Sequence, residues 1–96
     1  MNKYIIEKFE KSQKKSYKDV KMFDVARFEY GDYDNWVNAI MLELKPIKNN
    51  KILEIKFCTA HGQEFIAYDF IDNNEAYFTI IGKAIEIIKD EEINKN

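Results

Sequence analysis

A chain of 96 residues has room for one hydrophobic core, which excludes a two-domain architecture. Its 46% hydrophobic and 15% aromatic content supplies the apolar area that offsets backbone ordering entropy, which excludes a disordered chain. Net charge is only −2, yet residues 1–21 hold seven lysines against Glu7, Glu10 and Asp19 while the remainder is acidic. That asymmetry leaves both a nucleic-acid partner and a protein partner open. Cys58 has no second cysteine to pair with, so a reducing compartment is expected. The start of the chain has no apolar run beyond Tyr4-Ile5-Ile6, so neither a signal peptide nor a membrane span is expected and the cytoplasm is the expected location. Fourteen lysines stand against the single Arg27, a bias that an A/T-rich gene produces without any functional demand for lysine.

In chain order, Ile6, Phe9, Gln13, Tyr17 and Val20 recur at spacings of three and four, which predicts a helix over roughly residues 3–16 within a basic N-terminal segment, 1–21. Four alternating segments then predict an antiparallel sheet over 22–71. The first covers 22–30, where Ala26, Phe28 and Tyr30 alternate with Val25, Arg27 and Glu29, with an ambiguous phase at Val25-Ala26. Gly31 to Asn35 reads as a turn, because Gly tolerates positive φ and Asp and Asn bond their own backbone. Trp36 to Lys45 alternates next, and Pro46, which has no N–H to donate, is expected to stop it. Residues 51–59 and 64–71 form the last pair, joined by a reversal at His61-Gly62. Links this short require antiparallel neighbours.

Asp72 and Glu75 have capping-box spacing, and Tyr77, Ile80, Ile81, Ala84, Ile85 and Ile88 follow at helical intervals. They predict a C-terminal helix over 73–90, with Gly82 marking a close packing contact and 91–96 a frayed polar tail. A second reading makes Tyr77 to Ile81 a fifth strand. The expected architecture is α+β, a four-stranded antiparallel meander flanked by two helices in the order α-β-β-β-β-α. Apolar side chains fall on both faces of 36–45 and 64–71, so the second face needs a helix, a partner or a second copy to cover it; the chain is expected to be a monomer or a homodimer. In order of elements alone, residues 22–90 are similar to the single-stranded-DNA-binding domain of transcriptional coactivators, which present a curved sheet to unpaired bases.

The chain has few residues suited to chemistry. Gly31, Gly62 and Gly82 form no phosphate-binding loop, so nucleotide hydrolysis and dinucleotide chemistry are not expected. Cys58 and His61 have a C-x-x-H spacing, but tetrahedral zinc needs three or four such ligands, so they read as a sheet residue and a turn residue. Asp32, Asp34, Asn38 and Glu43 touch a calcium-loop pattern, which fails because Trp36 holds an oxygen-ligand position and Val37 the obligatory glycine. No metal, cofactor or catalytic residue is assigned.

The expected function is therefore binding. Tyr30, Asp32, Tyr33, Asp34 and Trp36 interleave aromatics with acids at a strand junction, a composition suited to a protein-docking edge. With the acids Asp24, Glu29 and Glu43 nearby, the leading expectation is a small phage or mobile-element inhibitor that docks on a larger nucleic-acid-dependent effector enzyme, of anti-CRISPR or other anti-defence type. The alternative is a single-stranded nucleic-acid binder. It would use Lys8, Lys11, Lys14, Lys15, Lys18 and Lys21 for phosphates and Phe28, Tyr30, Trp36, Phe57 and Tyr68 for stacking. A third reading is a small hydrolase built on the strand carboxylates Asp24, Glu29, Glu43, Glu54, Glu64 and Asp69.

Overall fold

The computed structural model describes residues 3–29 and 36–87. Among these residues the chain forms six strands: β1 (Lys3–Ser16), β2 (Asp24–Glu29), β3 (Trp36–Ile47), β4 (Ile52–Cys58), β5 (Glu64–Phe70) and β6 (Tyr77–Ile87). They make one sheet in the order β1-β6-β2-β3-β4-β5, antiparallel at every neighbouring pair. This overturns the α+β expectation. The first expected helix is β1; the second is a tight turn followed by β6, and the likeness to the coactivator domain falls with its helix.

The two misleading stripes have different origins, a bulge in β1 and apolar residues on the exposed face of β6. Tyr4 and Ile6 of β1 point inward while Ile5 and Glu7 point outward, an ordinary strand alternation. Between the pairs Lys8↔Gly82 and Gln13↔Ile80, however, β1 takes five steps while β6 takes two. The surplus destroys the period of two and leaves Ile6, Phe9 and Gln13 at helix-like intervals. In β6, Phe78 and Ile80 face one core. Ile81 is then surplus opposite β2, where Val25 pairs with Gly82 and Ala26 with Ile80, and beyond it Ala84 faces a second core. Burial alternates without a break at Phe78, Ile80, Gly82 and Ala84; the helical spacing arises because apolar residues also occupy the exposed positions Tyr77 and Ile85 and the surplus position Ile81.

The supposed capping box is a reversal. Asp72 and Glu75 exchange backbone hydrogen bonds of 2.9 Å around Asn73 and Asn74, whose φ values of 51° and 63° are both left-handed. Asn tolerates that conformation better than most residues, and a turn with positive φ at both central positions matches the twist of antiparallel strands.

A further bulge bends β3. Met41 pairs with Phe57 and Glu43 with Lys56, leaving Leu42 surplus. The first half of β3 pairs with β2 and the second half with β4, so the sheet folds into two halves facing each other. Pro46 does not end the strand. It pairs with Leu53 beyond the level at which β2 stops, where one side of β3 carries no ladder and a missing N–H is tolerated.

The main core fills the space between the halves. Ala26, Phe78 and Ile80 on one side meet Leu53, Ile55 and Phe57 on the other. The Phe57 ring lies 5.4 Å from Phe28 and 5.6 Å from Phe65. A smaller core on the opposite face gathers Val25, Ile40, Cys58 and Ala84 beneath Tyr4, Ile6 and Phe23. Here the chain covers its own second face: the Tyr4 N–H donates to the Ala60 carbonyl at 2.9 Å, tying the start of β1 to the turn after β4. Phe23 locks the bend. Its N–H donates to Met41 at 2.7 Å and its carbonyl accepts from Ala84 at 2.8 Å, at a φ of 73° that a bulky residue adopts only when its surroundings hold it there.

At Gly82 the backbone of β1 passes too close to β6 for a side chain. A Cβ at this position would collide with the Glu7 carbonyl and lie 3.1 Å from the Lys8 Cα. No helix among the described residues is long and apolar enough to cross a membrane.

Candidate interaction surface

β4 covers one side of β5, and among the described residues no strand covers the other. Odd-numbered residues of this segment bond to β4: the Gln63 carbonyl accepts from Thr59 and the Ile71 N–H donates to Lys51, at 3.0 and 2.9 Å. Glu64, Ile66, Tyr68 and Phe70 therefore direct their backbone N–H and C=O groups toward the open edge. Their side chains share the outer face of the sheet, where Ile66, Tyr68 and Phe70 are 55%, 61% and 79% exposed. Three large exposed apolar side chains thus stand in a row beside an open backbone edge. Half-buried Ile52, paired with Phe70, and Ile47, paired with Ile52, extend the row across the sheet.

Polar groups frame the row without interrupting it. Lys56 pairs with Glu64 at 3.4 Å, and the Tyr68 hydroxyl donates to Glu54 at 3.4 Å. Asp69 accepts the Phe70 N–H at 2.8 Å, capping one outward donor with the neighbouring side chain. Beside the edge lies an open cleft of about 450 Å³, lined by Tyr68 and Asp69 on one side and by Arg27, Phe28, Tyr77, Phe78 and Thr79 on the other. The Lys14 ammonium stands 4.7 Å from the centre of the Tyr77 ring, a cation–π contact near the mouth of this cleft.

The six lysines do not form the single helical row expected of them. Lys8 and Lys14 lie on β1 opposite Gly82 and Thr79, and Lys11 falls in the surplus segment. Lys15 reaches the buried Asp24 at 3.4 Å, and the Lys21 N–H donates to the same carboxylate at 2.9 Å, so both anchor the β1–β2 connection. Lys18 pairs with Glu75 at 3.4 Å, and Glu75 also accepts a 2.6 Å hydrogen bond from the Ser16 hydroxyl. The Ser16 bond first, and Lys18 after it, hold the Glu75 carboxyl below its ordinary pKa.

Of the expected docking cluster, Tyr30, Asp32, Tyr33 and Asp34 lie outside the described residues, and Trp36 opens β3 opposite Glu29. Among the expected stacking rings, Phe57 is 1% exposed and offers no face to a base; Phe28 is half-buried against it at the cleft wall, and Tyr68 is exposed. Cys58 is buried and His61 is exposed in the turn that follows. Burial first, then the Glu64 charge, pushes the thiol pKa up, while a hydrogen bond with Tyr4 acts in the opposite direction. Among the described residues no three His, Cys, Asp or Glu side chains gather as a metal site would require. The carboxylates are engaged separately: Asp24 with Lys15 and Lys21, Glu54 with Tyr68, Glu64 with Lys56 and Asp69 with its neighbour.

Sequence reasoning did not single out Ile66 and Phe70. A signal was available: 64–70 is an alternating apolar strand without a lysine in a chain that has fourteen. Comparison with family models, curated proteins and solved structures finds no match to this chain.

Proposed function

We propose that this protein is a non-enzymatic protein-binding module that docks through the open edge and outer face of β5. The row Ile66, Tyr68 and Phe70 carries the reading, because it joins exposed apolar and aromatic side chains to outward backbone donors and acceptors. An added strand uses both: backbone bonds contribute affinity, and alternate side chains confer specificity. The acids at Asp24, Glu29, Asp32, Asp34 and Glu43 support the narrower reading of an inhibitor that docks on a larger nucleic-acid-dependent enzyme, although Asp24 is committed internally. Capture from host lysate with wild type, Tyr68→Lys and an Asp32→Lys/Asp34→Lys double variant tests both. Loss of the same partner with Tyr68→Lys supports β5, and loss with the double variant alone moves the interface to residues 30–36. A captured partner that is not a nucleic-acid enzyme removes the narrower reading.

Single-stranded nucleic acid is the second reading, favoured by one observation: Arg27, Tyr68 and Tyr77 line the same cleft, with Lys14 over Tyr77. If β5 docks protein, free single strands bind no tighter than the roughly 10⁻⁴–10⁻⁶ M non-specific range at physiological salt. Tight, steeply salt-dependent binding that is lost in Arg27→Ala would reverse the order of the two readings.

A further inference from the structure

We infer that the open edge of β5 pairs with β5 of a second copy of this chain, about a two-fold axis through Ala67. The inference rests on the docking reading above and names a partner for the same edge. Outward-facing Glu64, Ile66, Tyr68 and Phe70 are spaced symmetrically around Ala67, so antiparallel pairing sets Ile66 opposite the partner's Tyr68 and Glu64 opposite the partner's Phe70. Each of these four positions then exchanges backbone bonds with its opposite, once Phe70 releases its N–H from Asp69. Ile66, Tyr68 and Phe70 of both copies become one continuous apolar strip on the outer face.

Charge selects this register over its neighbours. With Ala67 on the axis, Glu64 faces the partner's Phe70 and Asp69 faces the partner's Phe65, so no like charges oppose each other. Centring on Tyr68 would set Glu64 against the partner's Asp72, and like charges directly opposite are destabilising. Centring on Ile66 would set Phe70 against the partner's Gly62, beyond the end of the strand.

The other sheet edge is a poorer occupant. On β1 the Tyr4 N–H is already bonded to Ala60, and the surplus segment between Lys8 and Gln13 interrupts the edge. β5 has no surplus residue against β4 and no lysine, proline or glycine, the features that normally keep an edge from pairing. Two exposed aromatic side chains at roughly 150–250 Å² each, with Ile66, offer about half the area per copy of a standard interface. The dimer is therefore concentration-dependent, and its dissociation frees the edge for another strand.

Cysteine pairing tests the register. Ile66→Cys and Tyr68→Cys are prepared separately and mixed under mild oxidation; Cys58 is buried and does not compete. The mixture is expected to form intermolecular disulfides faster than either variant alone, because opposed positions lie within disulfide reach while like positions lie diagonally apart. Sedimentation of wild type is expected to show a monomer–dimer equilibrium, weakened about tenfold by Tyr68→Lys with an unchanged melt, since symmetry counts each lost contact twice. Wild type that remains monomeric at every concentration, or single variants that cross-link as fast as the mixture, would overturn the two-fold pairing. If that happens while Tyr68→Lys still abolishes capture of a target, self-pairing falls and the docking reading stands. Cross-linking in the expected register with target capture unaffected by Tyr68→Lys gives the converse.

Discussion

β1 and β5 are both edge strands of one sheet, but they carry opposite solutions to the same exposure. β1 holds Lys3, Lys8, Lys11, Lys14 and Lys15, is interrupted by surplus residues, and gives up an outward N–H to the Ala60 carbonyl. β5 is regular against β4, has no lysine, and displays Ile66, Tyr68 and Phe70. Lysines and bulges block strand addition, whereas a flat apolar edge invites it. One blunted edge and one open edge limit growth of the sheet to a single direction. A β5 pair therefore closes into a dimer, where two open edges would continue into a filament.

Four variants can break or sharpen this contrast, beginning with the largest effect. Phe57→Ala removes the ring at the centre of the main core, packed against both Phe28 and Phe65, and should cost about 3–5 kcal/mol in urea melts. That loss should affect both edges alike, since both halves of the folded sheet rest on this ring. Gly82→Ala should act on β1 first. The added methyl collides with the Glu7 carbonyl, so a cost of about 1–3 kcal/mol is expected, with hydrogen exchange rising across 3–8 before it rises in β5.

Acid should loosen the other end of β1. The folded Glu75 carboxyl titrates below its unfolded value, so its bonds to Ser16 and Lys18 stabilise the protein above the unfolded carboxylate range and are lost as pH falls through the lower folded pKa. The stability difference between wild type and Glu75→Gln should shrink along that descent, measured by urea melts at stepped pH. The smallest effect belongs to β5: Phe70→Lys should shift the melt by less than about 0.5 kcal/mol, because the side chain is 79% exposed. A large loss there would mean that the outer row is structural, and the contrast between the edges would collapse.

The sequence was most legible where alternation is unbroken. Residues 22–71 display their strands openly, and the ambiguous phase at Val25-Ala26 has a physical cause: both are fully buried, because β2 lies between the two cores and one residue faces each. β1 was illegible because surplus residues break its alternation, and β6 because exposed Tyr77 and Ile85 and the surplus Ile81 are as apolar as its buried residues, so that the composition imitates a period of 3.6. The turn at Asn73-Asn74 was the overlooked signal, since two adjacent asparagines are suited to left-handed φ. The exposed face of β5 could not be assigned from alternation alone, because it depended on whether the flanking segments were helices lying over the sheet. Of the docking cluster proposed from composition, only Trp36 falls within the described residues.

The pairing of Lys3 with Ile87 joins the first strand to the last. During synthesis β1 therefore emerges long before β6, its one strand partner among the described residues, and remains single until β6 is made. Contacts so distant in sequence form late, and a solitary strand containing Tyr4, Ile5, Ile6 and Phe9 is a sticky one during that wait. The seven lysines of residues 1–21 give that segment a like charge, which opposes its association with another copy for as long as it is unpaired.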